Sequence, residues 1–299
     1  MTSRVVQGRK RTAALGLAVV VIAVVVAVLV WHRSSSQVAS GACGGERPAR
    51  PGGGQWICTF DDEFNGTQLN PSLWSVTTTA ATGYRSGPEC YVNNPRTVSV
   101  GNGVLSLSAV KLPTPLSCRT PYGMGSTSYA SGMVTTQGHF AQTEGRYEIR
   151  AAFAGGEARG VHSALWLFPQ SLTYGTGASG EIDIAEYYGA NAPDLAFATL
   201  KYRTWFEGQS PTVGCAVANP ADFHVYTLVW TQRLITISYD GRTCLSTQWA
   251  PARPLTAPQP FDRPFNVLLT QALQPGLAAI PSTLQFPVTM KVDYVRVWR

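Results

Sequence analysis

The segment GEIDIAEYYG, residues 180–189, is the part of this sequence that decides the fold. It places Glu181, Asp183 and Glu186 close together in a chain in which charged residues make up only 13%. On a helix the three carboxylates would point in different directions around the axis. On a strand, Glu181 and Asp183 share one face because side chains alternate, and a single β-bulge before Glu186 returns that residue to the same face. The segment therefore predicts a bulged strand with three carboxylates on one face.

Such a row of carboxylates has two interpretations. It could be a solvated sheet face, but Asp and Glu are depleted in strands and like charges on one face repel each other. On the bulged strand, the carboxyl groups of Glu181 and Glu186 could approach to about 5–6 Å, the separation at which a retaining glycosidase uses one as nucleophile and the other as acid/base. Asp183 could hydrogen-bond one glutamate, and repulsion should raise one pKa enough to keep a proton for the general acid. We therefore favour a catalytic site.

The sequence around this segment predicts many short strands. TVSVGNGVLSLSAV (97–110) and LITISYDGRTCLSTQW (234–249) each place two alternating runs around a hairpin turn, Asn102-Gly103 in the first and Asp240-Gly241 in the second. GRYEIRAAFA, HVYTLVW and MKVDYVRVW add further strands. Because no helices separate these runs, we expect an all-β fold, an antiparallel β-sandwich or barrel.

The N-terminal part of the chain has a different composition. Residues 13–31 carry no charge, and as a helix they would span about 28 Å, close to the thickness of a hydrocarbon core. We expect a basic cytoplasmic segment (1–12), a transmembrane signal anchor (13–31), a flexible Ser/Gly/Pro-rich linker (32–55) and an extracytoplasmic catalytic domain (56–299). A signal peptide cleaved in QVASGA (37–42) is the alternative, which would make the domain secreted.

Charge and cysteines agree with this topology. The formal net charge is +6, but five of the positive charges lie in residues 1–40, so the remainder carries +1 and no nucleic-acid partner is indicated. All six cysteines follow the apolar segment, where an oxidising compartment favours disulfides. Six cysteines allow 15 pairings that sequence alone cannot separate. We predict sequential pairing: Cys43 with Cys58, Cys90 with Cys118, and Cys215 with Cys244.

Several segments carry a resemblance to a known family. Residues 56–299 resemble glycoside hydrolase family 16, in particular its laminarinase-like (endo-β-1,3-glucanase type) members with a bulged E-x-D-x-x-E strand. The segments that carry it, besides GEIDIAEYYG, are ALWLFP (164–169), HVYTLVW (224–230), DDEFNGTQLNPSLW (61–74), SGMVTTQGHFAQTEGRYEIRA (131–151) and VDYVRVW (292–298). The resemblance implies a jelly-roll sandwich with a concave glycan-binding cleft that hydrolyses internal β-linkages with retention.

By the same resemblance, Glu181 is the nucleophile, Asp183 its hydrogen-bonding helper and Glu186 the acid/base. Trp166 matches a sugar-stacking tryptophan, although a tryptophan in a strand is also a common core residue.

Two further positions are weaker matches, and a third departs from the family. The resemblance places His224 near the acid/base, although a strand histidine is often only a core residue. Gln271 stands where many members carry an asparagine that contacts sugar. Lys201 departs from the family, because relatives often have histidine there, and this departure concerns the fine substrate specificity more than the reaction.

Three functional classes follow: a hydrolase of a polysaccharide, most simply β-1,3-glucan, a transglycosylase that remodels a wall polymer, and a carbohydrate-binding sandwich without catalysis. The carboxylate cluster disfavours the last, while mixed-linkage glucan and galactan remain open as substrates. We expect a monomer that needs no cofactor for its chemistry, since none of His32, His139, His162 and His224 has metal-ligand spacing. A structural Ca²⁺ is an alternative that no sequence motif supports.

The anchor prediction can be tested on the native protein. If residues 1–33 hold the domain at the outer face of a membrane, mass spectrometry of the protein extracted from its host should find an uncleaved N-terminus. A mature N-terminus between Gln37 and Cys43 would contradict the anchor and support the cleaved signal peptide.

Overall fold

A computed structural model describes residues 41–120, 123–154, 159–189, 192–204, 210–275 and 280–299. The predicted cytoplasmic segment and apolar helix, residues 1–31, and the first part of the predicted linker lie outside the described residues. Within the described ranges, no helix is both long and apolar enough to cross a membrane.

The described chain is built almost wholly of β-strands, with a 3₁₀ turn at Ala42–Gly45 and a four-residue helix α1 at Thr79–Thr82. The strands are β1 Cys58–Asp62, β2 Ser75–Val76, β3 Cys90–Tyr91, β4 Val98–Gly101, β5 Val104–Thr120, β6 Gly123–Ser131, β7 Met133–Thr135, β8 Gly145–Ala152, β9 Val161–Pro169, β10 Glu181–Tyr187, β11 Leu195–Lys201, β12 Thr212–Ala216, β13 His224–Trp230, β14 Ile235–Tyr239, β15 Arg242–Thr247, β16 Phe265–Leu273 and β17 Val288–Trp298.

Two sheets pack face to face. One, here called the outer sheet, has the order β15-β14-β13-β8-β17-β5-β6-β3, with β1 paired to β17 and β4 paired to β5. The other, here called the cleft sheet, has the order β12-β11-β10-β9-β16-β7-β2. Neighbouring strands in the described part are antiparallel except β3 and β6. The prediction of an all-β antiparallel sandwich is confirmed.

Alternation along the strands creates the core between the sheets. In β16, Val267, Leu269 and Leu273 join the main apolar core, whereas Leu268 and Ala272 belong to a second apolar cluster with Trp166. Strand β16 is buried throughout, so both of its faces are covered by protein. Each fully buried Leu, Ile or Val contributes about 1.5–3 kcal/mol relative to an exposed position, which makes this alternation the main source of stability.

Both predicted hairpin turns are present. Asn102 and Gly103 have φ of 54° and 74°, and the flanking residues Gly101 and Val104 pair directly. Asp240 and Gly241 have φ of 47° and 75° between paired Tyr239 and Arg242. Two consecutive positive φ angles give the strands the twist that a two-residue hairpin needs, which is why the Asn-Gly and Asp-Gly signals were reliable.

The predicted disulfides are all formed: Cys43–Cys58, Cys90–Cys118 and Cys215–Cys244. Cys43 is fully buried beside Trp56 and Trp298, and the compact unit begins at Ala42. The described end of the predicted linker therefore differs from a flexible tether, because the disulfide and this small apolar cluster attach it to the outer sheet.

The bond between Cys215 and Cys244 joins β12 to β15, the edge strands of the two sheets. Replacing both cysteines with serine should lower the free energy of unfolding by about 3 kcal/mol, because the unfolded chain loses a constraint on its entropy. Urea unfolding followed by fluorescence measures this change. Thr212→Ser, at an exposed position of the same edge strand, is the control and should leave stability nearly unchanged. In the parent protein, denatured without reductant, two or more titratable thiols would contradict the three-bridge assignment.

Candidate active site

The three carboxylates lie on β10, and the predicted bulge is present. Toward β11, Asp183 pairs with Thr199 and Glu186 with Phe197. The pairing therefore moves by three residues along β10 but by only two along β11. Ile184 has no partner in the register with either neighbour. Both Ile184 and Ala185 are buried in the core between the sheets, which returns Glu186 to the face of Asp183.

A hydrogen bond from the other sheet stabilises the bulge. The carbonyl of Ile184 accepts a hydrogen bond of 3.0 Å from the hydroxyl of Tyr239 on β14. At the start of the strand, Gly180 has φ of 85°, and a Cβ there would lie 2.9 Å from the ring of Phe261. The position therefore needs glycine for both backbone and space.

The carboxylates open into a small recess on the cleft sheet. Its walls come from β9, β10, β11 and β16 and from the segment before β3. The lining residues are Tyr84, Ser86, His162, Ala164, Trp166, Glu181, Asp183, Glu186, Lys201 and Thr270. A larger cavity of about 550 Å³ lies against β8 and β17, and the described residues that line it include no carboxylate. We therefore place the candidate active site at the recess.

Lys201 links the three acids. Its Nζ lies 2.7 Å from Glu181 Oε1, 3.1 Å from Asp183 Oδ2 and 3.9 Å from Glu186 Oε2. Residue 201 is the direct partner of Glu181 across the β10–β11 pair, which explains why its side chain reaches the row. Although burial opposes it, the carboxylates raise the pKa of the Lys201 ammonium, so this group stays charged. One cation therefore offsets part of the repulsion in the cluster.

The pKa values of Asp183 and Glu186 are shifted in opposite directions. Burial, followed by the charges of Glu186 and Glu181, raises the pKa of Asp183 well above its usual range. Burial also acts to raise the pKa of Glu186, but hydrogen bonding from His162 and the charge of Lys201 outweigh it, so this pKa is lowered. The sequence led us to expect that the group with the raised pKa is the general acid. In the structure the raised pKa belongs to Asp183, because Asp183 is the most deeply buried of the three acids and stands between the other two.

Glu186 has two further partners that the sequence analysis did not identify as site residues. The Tyr188 hydroxyl donates to Glu186 Oε1 at 2.8 Å, and His162 Nε2 lies 3.1 Å from the same oxygen. The alternation that leads back from Trp166 through Ala164 to His162 on β9 could have revealed one of them. The other, Tyr188, lies two residues after Glu186.

Trp166 lies at the recess, as expected for a cleft residue. Its indole Nε1 donates to Thr270 Oγ1 at 2.9 Å, and it packs with Ala164 and Leu268 on the cleft side of the sheet. Only 8% of the residue is exposed, so it lies mostly beneath its neighbours. Its role in stacking on sugar stays a prediction. Tyr84, 41% exposed, presents more aromatic surface at the same recess.

The prediction that Gln271 contacts sugar is wrong. Gln271 is fully buried, and its amide accepts from Ser163 Oγ at 2.8 Å and donates to the carbonyl of Ala272 at 3.0 Å. It shares the alternation of Leu269 and Leu273, which both face the core. The neighbouring residue, Thr270, is the one that lines the recess.

The prediction that His224 lies near the acid/base is also wrong. His224 opens β13 in the outer sheet, between β8 and β14. Its Nδ1 lies 2.7 Å from Asp240 Oδ2, and its Nε2 lies 3.2 Å from the carbonyl of Asn219. The histidine beside Glu186 is His162. The sequence could not separate the two, because sheet membership depends on pairing between distant strands.

In the portion of the chain covered by the structure, no group of three or more His, Cys, Asp or Glu side chains is placed to hold a metal ion. The expectation that the chemistry needs no cofactor stays a prediction.

Comparison with known proteins agrees with the geometry of the site. Residues 89–294 match the family described as Glycosyl hydrolases family 16. The chain is 32% identical to a glucan endo-1,3-beta-glucosidase A1 of Niallia circulans over 80% of this chain and 37% of that protein. It is 31% identical to a beta-glucanase of Rhodothermus marinus over 82% of this chain and 85% of that protein.

Among solved structures, it is similar to a non-specific endo-beta-1,3(4)-glucanase of the same family, with a TM-score of 0.73 and 27% identity over 85% of this chain and 98% of that one. These matches confirm the resemblance found in the sequence: the chain belongs to glycosyl hydrolases family 16, and it is a glycoside hydrolase of the laminarinase-like type.

Proposed function

We propose that this chain is an extracytoplasmic, endo-acting, retaining hydrolase of β-glucan, with β-1,3-glucan as its main substrate. Glu181 is the nucleophile, Asp183 its helper and Glu186 the acid/base. The observation that carries this proposal is the convergence of three carboxylates on a bulged strand at a recess. The relatives from Niallia circulans and Rhodothermus marinus, named as glucanases, support the substrate class.

The distance between the two glutamates supports retention. Since Lys201 Nζ lies 2.7 Å from Glu181 Oε1 and 3.9 Å from Glu186 Oε2, these two oxygens are no more than about 6.6 Å apart. Carboxyl groups of retaining enzymes lie about 5–5.5 Å apart, whereas inverting enzymes leave about 6.5–9.5 Å for a water molecule. The upper limit just reaches the inverting range, so the geometry favours direct attack by a carboxylate.

The reaction then has two steps. In the first, a Glu181 carboxylate oxygen forms a bond to the anomeric carbon while the glycosidic C–O bond breaks and Glu186 gives its proton to the leaving oxygen. In the second, water attacks the anomeric carbon, Glu186 takes the proton of that water, and the bond to Glu181 breaks. Lys201 places a cation 2.7 Å from Glu181 Oε1, next to the attacking carboxylate. The raised pKa of Asp183 favours its protonated form, which can donate a hydrogen bond to a neighbouring glutamate.

Two alternatives use the same fold. A transglycosylase would share every residue named above and differ in letting a sugar hydroxyl, rather than water, attack the intermediate. A non-catalytic binding sandwich would gain nothing from three mutually repelling carboxylates. Digestion of purified β-1,3-glucan, mixed-linkage glucan and galactan, with products sized and linkage-typed, decides the polymer and separates hydrolysis from transfer.

The proposed location rests on the disulfides. Three bonds join all six cysteines of the chain, and such bonds persist in oxidising compartments outside the cytoplasm. We keep the anchor at residues 13–31 as part of this proposal. The domain is then a monomer that acts on its polysaccharide at the outer face of the membrane.

The roles of Glu181 and Glu186 can be separated by azide rescue. Glu186→Ala should reduce kcat/KM on polysaccharide by about 10²–10⁴-fold, because proton transfer to the leaving oxygen is lost. With an activated aryl β-glycoside, azide should restore turnover and give a β-glycosyl azide of retained configuration. In Glu181→Ala, azide can only displace the leaving group directly, which gives the inverted α-azide. The anomers are identified by NMR of the products.

The parent enzyme with azide and the two variants without azide are the controls. If the anomers are reversed, the two roles are exchanged. If neither substitution lowers activity on any glycan that the parent accepts, the catalytic assignment of this site is wrong.

Lys201 should affect both steps of the reaction. Lys201→Met removes the cation that contacts Glu181 and Asp183, so we expect at least about a tenfold loss of kcat/KM with both activated and unactivated leaving groups. The pKa of Glu186 should also rise, since the Lys201 charge lowers it, and the basic limb of the pH profile should move to higher pH. Lys201→Arg, which keeps the charge, is the matched control. Full activity of Lys201→Met with an unchanged profile would show that the ammonium plays no part.

A further inference from the structure

Two aromatic side chains bind the same oxygen of Glu186. The Tyr188 hydroxyl and His162 Nε2 lie 2.8 Å and 3.1 Å from Oε1. Their rings stack with centroids 4.6 Å apart and an interplanar angle of 9°. The His162 side chain is 16% exposed and the Glu186 side chain 9% exposed, so this arrangement is largely screened from water.

Strand pairing and local packing hold the side chains of His162 and Tyr188 in place. His162 lies on β9, two residues before Ala164, which is the direct strand partner of Glu186. The backbone of Tyr188 is held by Gln274, whose side-chain amide donates to the Tyr188 carbonyl at 2.8 Å. The Tyr188 ring also meets Phe197 edge-on, with centroids 6.0 Å apart. His162 therefore reaches Oε1 from the neighbouring strand β9, and Tyr188 reaches it from the residue just after the end of β10.

We propose that His162 and Tyr188 are positioning residues for Glu186: together they bind Oε1 and leave Oε2 as the oxygen that carries the transferred proton. This inference rests on the proposed role of Glu186 as acid/base. A proton on Oε1 would compete with two donors that point at that oxygen. Among the described residues, the polar contact of Oε2 is the more distant Lys201, at 3.9 Å. Fixing the carboxyl plane also aims Oε2 at one position in the recess, and orientation of this kind contributes to the rate.

For this arrangement, His162 must carry a hydrogen on Nε2, either as that neutral tautomer or as the imidazolium. In the described part of the chain, the other titratable groups around Glu186 include Asp183 and Glu181 on its own strand and Lys201 on β11. On the core side, the charge of Glu186 raises the pKa of Tyr239 on β14. Because His162 and Tyr188 favour the carboxylate form, removing either donor should raise the pKa of Glu186. A general acid must be protonated, so the basic limb of the activity profile should then move to higher pH.

The leaving group supplies a specific test. His162→Phe keeps a ring that can stack on Tyr188 but has no donor, and Tyr188→Phe removes only the hydroxyl. With a poor leaving group such as 4-methoxyphenol on a β-glucan oligosaccharide, each variant should lose about tenfold in kcat/KM, a part of what a general acid provides. With 2,4-dinitrophenol, which needs little protonation, the loss should stay below twofold. His162→Gln, which retains an N–H donor, should recover most of the activity.

Glu186→Ala, measured on the same two substrates, separates this inference from the proposed function. If Glu186→Ala shows no dependence on the leaving group, the acid/base assignment fails. If Glu186→Ala does depend on the leaving group, but His162→Phe and Tyr188→Phe lower kcat/KM equally for both substrates or for neither, the positioning role is wrong. Thermal melting shows whether each variant folds, and where His162→Phe does not, Tyr188→Phe and His162→Gln give the answer.

Discussion

The active site depends on one irregularity in the sheet, the bulge at Ile184. Without it, Glu186 would face the core, where an ionised carboxylate is very costly to bury. The extra residue directs both Ile184 and Ala185 inward, and Tyr239 from the opposite sheet binds the Ile184 carbonyl. The alignment of the three carboxylates is therefore a property of the whole sandwich, since it needs a partner strand on each side and a tyrosine from the other sheet.

Close packing of the three acids is tolerated because their charged and hydrogen-bonding partners differ. Glu181 and Glu186 share one cation, Lys201, and Glu186 also receives bonds from His162 and Tyr188. Asp183, in the middle, has a raised pKa, which favours its protonated form and so lowers the repulsion in the cluster. This division differs from a simple picture in which crowding protonates the general acid, and it makes the charge of Glu186 depend on its donors.

The sequence predicted the features that follow from local geometry. Alternation identified the β-strands, the Asn-Gly and Asp-Gly pairs marked both hairpins, and the spacing of Glu181, Asp183 and Glu186 required the bulge. The errors have a common origin. Gln271 was assigned to the cleft although it alternates with the core residues Leu269 and Leu273, and His224 was assigned by resemblance without knowledge of its sheet.

The sequence by itself determined the class of fold and the row of carboxylates, because these depend on side-chain period and turn chemistry. Sequential disulfide pairing was one choice among 15, and the structure decided it. Only the tertiary structure decided which residues surround that row. His162, Lys201 and Thr270 reach the recess because β9, β11 and β16 lie in one sheet, while β13 lies in the other and carries His224 away. Strand order is set by contacts between residues far apart in sequence, and no local pattern encodes it.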